Sequence, residues 1–284
     1  MRLVYLGTPP AAVPPLQALV AEGHDVALVV TRADKRRGRG SELTPSPVKA
    51  AALELGLRVT TDVDEVIGTG ADLGVVVAFG RIIRPHVLAA VPMVNLHFSL
   101  LPRWRGAAPV ERAILAGDRE TGVCVMEVEE GLDTGGVYAS ARVAIADASV
   151  DALRSQLVDV GTELLVHALR TGLGSPQPQL GEPTYAEKIT TEDLRLDWER
   201  PAVELVRVMR VGRAWTTFRG RRLLVAAAQA VPDGPAPGHF DGVVVGTGEG
   251  GLRLVQVQPE GKPVLAAGAW LNGARPRPDE RLGA

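Results

Sequence analysis

Val94-Asn95-Leu96-His97-Phe98-Ser99-Leu100-Leu101-Pro102-Arg103-Trp104-Arg105-Gly106-Ala107-Ala108-Pro109 is an apolar run that ends in polar residues, crosses a loop bearing Pro and Gly, and opens a helical pattern over Ala108–Ala116. A strand–loop–helix joint of this kind is the repeating unit of α/β proteins, whose chemistry gathers at strand ends. Asn95 and His97 are two apart, so on extended backbone they point to the same side. The next apolar run, Val123–Val128, leads into the polar turn Gly131-Leu132-Asp133-Thr134-Gly135. Polar residues at the ends of neighbouring strands are expected to converge on one edge of the sheet. Asn95, His97 and Asp133 would supply an amide donor, a titratable imidazole and a carboxylate to orient and charge it. That is a kit for acyl transfer without a nucleophilic Ser or Cys. The same residue types also serve as loop and turn caps.

Outward from this stretch the alternation continues. Leu3–Leu6, Val26–Val30 and Leu73–Ala78 read as buried parallel strands, with helical patterns at Val13–Glu22 and Val48–Leu55 between them. Val123–Val128 and Val137–Val143 add strands, and Val150–Gly172 is an amphipathic helix with Leu153, Leu157, Val160, Leu164, Leu165 and Leu169 on one face. The pattern predicts an α/β fold, a Rossmann-like parallel sheet. After the first strand stands Gly7-Thr8-Pro9-Pro10, where a dinucleotide pyrophosphate would need glycines and free N–H groups, so no NAD is expected. Three prolines and two glycines from Gly174 to Pro183 mark a linker. Beyond a helix at Val203–Val211, the short runs Thr216–Phe218, Leu223–Ala228, Gly242–Gly246, Leu252–Val257 and Val264 predict a small β-barrel domain, with a frayed tail at Pro276–Ala284. The expected layout is a catalytic domain at 1–174, a linker at 175–203 and a barrel domain at 204–284.

The 284 residues suit two modest domains, and 46% apolar content supports real cores with no run long enough to span a membrane. The N-terminus reads as a first strand and not a signal peptide. One cysteine, Cys124 inside an apolar run, allows no intrachain disulfide and is expected to be a buried thiol; a cytoplasmic location follows. Five histidines show no ligand spacing with it, so no metal is expected. The net charge of −2 argues against an indiscriminate nucleic-acid binder, but it is unevenly spread. Residues 1–200 hold 20 Lys/Arg and 26 Asp/Glu, a balance of −6; residues 201–284 hold 11 and 7, a balance of +4. Arg207, Arg210, Arg213, Arg219, Arg221 and Arg222 form one basic group, and Lys35-Arg36-Arg37-Gly38-Arg39 another. Two such patches fit a local contact with a polyanion.

The run N-x-H-x-S-L-L-P-R-W-R-G-A-A-P, with G-L-D-T-G about thirty residues on, resembles the methionyl-tRNA formyltransferase family. Gly7-Thr8-Pro9, Pro45-Ser46-Pro47-Val48-Lys49, Val77-Ala78-Phe79-Gly80, Tyr185-Ala186-Glu187-Lys188 and Asp197-Trp198 are similar to family motifs in the same order, so the likeness runs from about Leu3 to the C-terminus. The N-x-H…D core is shared by several formyltransferases; the S-L-L-P-R-W-R-G-A-A-P loop and Y-A-E-K are more specific.

The resemblance implies transfer of a formyl group from 10-formyltetrahydrofolate to the α-amine of methionyl initiator tRNA, for initiation of protein synthesis, and an OB-like barrel. It implies catalysis by Asn95, His97 and Asp133, a folate site lined by Ser99, Leu100, Leu101 and Pro102, and tRNA contacts from Arg36, Arg37, Arg39, Arg207, Arg219, Arg221 and Arg222. Arg39 matches the arginine of a family loop that inserts at the acceptor end of the tRNA. Arg36, Arg37, Ser41, Glu42 and Phe98 depart from the usual pattern, and Arg207–Trp215 lacks the usual Asn-Pro. Arg103, Trp104 and Arg105 could hold the folate tail or the tRNA end, or Trp104 could simply pack. A monomer is expected. Two alternatives remain: a formyltransferase for a small amine such as glycinamide ribonucleotide or an amino sugar, and a non-catalytic folate- or RNA-binding protein. Tyr185–Lys188 and the basic C-terminal part favour tRNA over the first. The presence of Asn95, His97 and Asp133 together opposes the second.

Overall fold

The computed structural model describes residues 1–36 and 43–284, which fall into two compact units. The first comprises Met1–Val110, Glu120–Ala144 and Ala152–Glu187; the second comprises Glu111–Arg119, Ile145–Asp151 and Lys188–Ala284.

The first unit is built on a seven-stranded sheet. Its strands are β1 (Arg2–Gly7), β2 (Asp25–Val30), β3 (Val59–Thr60), β4 (Leu73–Val77), β5 (Met93–His97), β6 (Glu120–Glu127) and β7 (Val137–Ala144), in the spatial order β7-β6-β5-β4-β1-β2-β3. Strands β1 to β5 are mutually parallel, while β6 runs antiparallel to β5 and β7 antiparallel to β6. The order reverses between β1 and β4, which makes the crevice beyond their C-terminal ends the natural binding region of an open α/β sheet. Leu3, Val4, Tyr5 and Leu6 are wholly buried, as a central strand covered on both faces requires. Gly7 closes β1 because a Cβ there would lie 2.9 Å from the Ala12 side chain and 3.1 Å from the Val77 carbonyl oxygen. Helices Val13–Ala21, Pro47–Glu54 and Pro85–Ala90 all carry Pro in their first positions, where the missing N–H costs nothing. Ser46 caps the second of these, its Oγ accepting from the Lys49 N–H at 3.0 Å.

The two faces of β5 differ. Leu96 lies against the long helix Val150–Thr171, where a Cβ on Gly161 would come within 3.1 Å of it. Met93, one pleat before Asn95, belongs to the core cluster of Val4, Leu6 and Val76 on the other face. Alternation along the strand therefore puts Asn95 and His97 on the face of that cluster.

The second unit holds a six-stranded antiparallel sheet. Trp215–Phe218, Arg221–Val231, Gly251–Pro259, Val244–Gly246 and Phe240–Asp241 follow one another across it, and Leu265–Ala266 also pairs with Gly251–Pro259. The sheet curls enough for side chains of its two end strands to touch: the Phe218 and Phe240 rings lie edge to face at 5.9 Å. Trp270, from helix Ala267–Ala274, fills the space beside them, 5.3 Å from Phe218. The first hairpin turns through Arg219 (φ 51°) and Gly220 (φ 68°), two left-handed residues as a tight two-residue connection needs.

Some expectations need correction. The tail is not frayed: the Leu282 N–H donates to the Gly238 carbonyl and the Gly283 N–H to that of Thr217, both at 2.9 Å, and Leu282 is 2% exposed. Its polar composition concealed backbone pairing and a single apolar anchor. Helices Pro85–Ala90 and Ala267–Ala274 and the two-residue β3 escaped the periodicity reading because each is too short or too rich in small residues to show a face. The stretch 175–203 is tied down as well. Gln177 exchanges backbone hydrogen bonds with Val137, Tyr185–Ala186 forms a parallel pair with Arg105–Gly106, and Trp198 is buried.

Candidate active site

Asn95 and His97 end β5 on one face, Asn95 half-buried and His97 buried. Asp133 is brought to them by an indirect route. Because β6 is antiparallel, its end at Glu127 sits beside Val94, at the start of β5, whereas Cys124 sits opposite His97. The turn after β6 must therefore fold back along the sheet face, so convergence comes from a returning loop and not from aligned strand ends. The outcome is an Asp133 Oδ2 placed 3.6 Å from His97 Nδ1, with side-chain exposures of 15% and 6%. Asp133 has φ 51°, a left-handed conformation that Asp tolerates better than most residues. Its Oδ2 accepts from the Gly106 N–H at 2.7 Å.

The opposite ring atom, His97 Nε2, lies 3.0 Å from the Trp104 carbonyl oxygen. A carbonyl can only accept, so Nε2 is the donor, and Nδ1 can donate toward Asp133 only when the imidazole is charged. The ring is thus held between a carboxylate and a carbonyl. Among the described residues, the Asn95 amide has no protein hydrogen-bond partner, which leaves a donor and an acceptor beside His97 for a bound molecule.

The loop after β5 is internally braced. The Ser99 hydroxyl, fully buried, donates to the Arg103 carbonyl at 2.6 Å. Leu100, Leu101 and Pro102 are half-buried, and Leu100 lies where a Cβ on Gly122 would press on it at 2.6 Å. Trp104 is left-handed (φ 62°); its N–H donates to Thr184 Oγ1 at 2.9 Å, and the Arg103 guanidinium stacks 4.5 Å above its ring. Gly106 (φ 120°) could carry no side chain, because a Cβ would lie 2.8 Å from the Ala186 carbonyl oxygen. Cys124 is buried, which pushes its thiol pKa up, while a backbone hydrogen bond from Leu101 opposes this.

Two family models cover most of the chain. Residues 1–169 match the model described as formyl transferase, and residues 188–275 match the formyl transferase C-terminal domain. A relative from Methylobacterium sp. (strain 4-46), named methionyl-tRNA formyltransferase, is 43% identical over 308 residues, covering 99% of each chain. One of the same name from Clavibacter sepedonicus is 46% identical over 300 residues, covering 96% of this chain and 97% of that one. The chain belongs to the methionyl-tRNA formyltransferase family. The solved methionyl-tRNA formyltransferase from Clostridium thermocellum shares the fold with a TM-score of 0.60 at 15% identity, over 81% of this chain and 93% of that one.

Against the sites that methionyl-tRNA formyltransferase likeness implies, the structure brings Asn95, His97 and Asp133 together. It turns the Ser99 hydroxyl inward and leaves Leu100, Leu101 and Pro102 half-buried along the same loop. Arg37 and Arg39 lie outside the described residues; the backbone of Arg36 pairs with Leu43. In the second unit, Arg219 stacks on Phe218 at 4.8 Å and is gripped by Glu280, which accepts from its Nε at 2.8 Å and its Nη2 at 2.7 Å. That pair holds the Glu280 carboxyl down at a pKa of about 2. Arg222 lies over the Trp215 ring at 4.4 Å, and Arg207 packs on Gly117. Arg221 is exposed and, among the described residues, has no ion-pair partner.

Gln179 and Thr184 were missed as contributors to the site. They lie in a stretch without periodicity, and the only signal was the neighbouring Tyr185–Lys188 motif. Among the described residues, no group of three or more His, Cys, Asp or Glu is placed to hold a metal ion, and no helix is long and apolar enough to cross a membrane.

Proposed function

We propose that this protein transfers the formyl group of 10-formyltetrahydrofolate to the α-amine of methionyl initiator tRNA, as a monomer in the cytoplasm. The observation that carries the reading is the His97–Asp133 pair beside the Asn95 amide, which has no partner among the described residues, in a chain of this family. In the reaction the amine nitrogen bonds to the formyl carbon, the bond from that carbon to the folate nitrogen breaks, and negative charge gathers on the formyl oxygen in between. Asn95, which has no protein partner among the described residues, is the donor for that oxygen; His97 Nε2 joins it by giving up its bond to the Trp104 carbonyl. One such donor is worth about 3–4 kcal/mol of barrier. Asp133 orients His97, and the proton that the amine loses must reach the folate nitrogen, with Asp133 or a water it holds as the relay. The half-buried apolar run Leu100–Pro102 fits one wall of a site for the flat ring of the donor. The exposed Arg221 and the stacked Arg222 support tRNA contact by the second unit, and the same reading extends to Arg207, Arg219 and the Arg36–Arg39 segment.

The test is incubation with 10-formyltetrahydrofolate and charged initiator tRNA, reading formylmethionine after deacylation. Formylation of the tRNA-borne methionine is expected. Formylation of glycinamide ribonucleotide or an amino sugar, with none on tRNA, would overturn the reading.

A further inference from the structure

Gln179 makes four hydrogen bonds, and all of them reach the parts of the site that set Asp133. Its amide nitrogen donates to the carbonyls of Asp133 and Gly135, both at 2.8 Å. Its amide oxygen accepts from Arg105 Nε at 3.1 Å and Nη2 at 2.7 Å. Arg105 is covalently next to Gly106, whose N–H holds Asp133 Oδ2 at 2.7 Å. The circuit closes: Gln179 grips the backbone of the Asp133 turn, Arg105 grips Gln179, and Gly106 grips the Asp133 carboxylate. Every donor and acceptor of the Gln179 amide is used, in the geometry a planar carboxamide offers and no other uncharged side chain of that length does.

The circuit adds to the turn's own bonds, of the Thr134 hydroxyl to Glu129 at 3.2 Å and of the Glu127 N–H to the Gly136 carbonyl at 2.8 Å. Asp133 is left-handed and its neighbours Leu132 and Thr134 are exposed. Its carboxylate stands 3.6 Å from His97 Nδ1, just beyond hydrogen-bond range. At that separation, a displacement of a few tenths of an ångström decides whether the pair bonds. We infer that Gln179 is a positioning residue for formyl transfer, acting through Asp133 by fixing the turn that aims the carboxylate at His97. The inference rests on the catalytic reading of Asp133.

The test uses the full chain with Gln179→Ala and Gln179→Glu, each alone and with Asp133→Asn. Glutamate keeps the length and the Arg105 contact but cannot donate to the two carbonyls. Both single variants should lose about 10- to 100-fold in kcat, the scale of a misplacement approaching 1 Å, with KM for the folate little changed and a displaced pH–rate profile. In the Asp133→Asn background the same changes should cost less than about threefold, because the carboxylate they position is gone. Wild-type kcat in either single variant overturns the inference, as does an equal loss with and without Asp133. So does loss of the folded state in both variants, read by thermal melting, since Gln179 is then a structural residue. If Asp133→Asn is itself fully active, the failure belongs to the catalytic reading of Asp133 and not to Gln179 alone.

Discussion

Asp133→Asn removes one charge and almost nothing else. Asparagine tolerates the left-handed φ of 51°, and its amide oxygen can keep the 2.7 Å bond from the Gly106 N–H. The folded state should lose only the difference between a charged and a neutral acceptor, about 1 kcal/mol. The catalytic cost is larger. At 3.6 Å, a carboxylate and an imidazolium attract by about 4–5 kcal/mol at an effective dielectric of about 20. Both side chains are mostly shielded, Asp133 less completely, so solvent weakens that figure without cancelling it. With each 1.36 kcal/mol worth about tenfold, turnover should fall by about 100- to 1,000-fold. The assay is single-turnover formyl transfer to charged initiator tRNA across a pH series, with thermal melting of the same preparation. Turnover within about threefold of wild type, with an unmoved pH–rate profile, would refute the reasoning and leave Asp133 a turn cap.

Gly106→Ala should destabilise by about 2–4 kcal/mol, because the added Cβ meets the Ala186 carbonyl at 2.8 Å and the backbone is at φ 120°; urea midpoints check this. Arg221→Gln should lower the slope of log K for tRNA against log salt by about 0.7–0.9, one phosphate contact, and Arg219→Gln by less, because Glu280 already occupies that guanidinium. Equal slopes for the two variants would contradict this. The Arg112 guanidinium, bonded to Asp193 at 2.8 Å, holds the Asp193 carboxyl down to about 2. That pair should stabilise the fold fully above about pH 4 and lose its contribution as pH falls through about 2. Arg112→Gln should flatten this acid limb of a pH–stability curve.

Much of the fold was legible because buried strands advertise themselves. β1, β2, β4 and β5 are near-continuous apolar runs. The candidate site was legible where one strand carried it: a spacing of two puts Asn95 and His97 on one face whatever the rest of the chain does. Asp133 was found as a residue but not as a geometry, since nothing in the sequence says that β6 runs antiparallel and that its loop must return. Gln179 and Thr184 were illegible for a different reason. They act through hydrogen bonds to residues 44 to 80 positions away, and such contacts leave no period in either segment. The expected frayed tail failed for the same cause, with Leu282 the one apolar residue that could have warned of it.

The pairing of Arg105–Gly106 with Tyr185–Ala186 has a consequence for the order in which the molecule is completed. During synthesis all seven strands of the sheet have emerged once residue 144 is clear of the ribosome, and β5 already carries its Asn and His. The loop that follows β5 has no rail to lie on until forty more residues have been made, and Gln179 arrives only then. A nascent chain can therefore own a finished sheet and an unfinished candidate site. A product ending at residue 174 would hold every strand of the seven-stranded sheet and lack both the rail and the bracket.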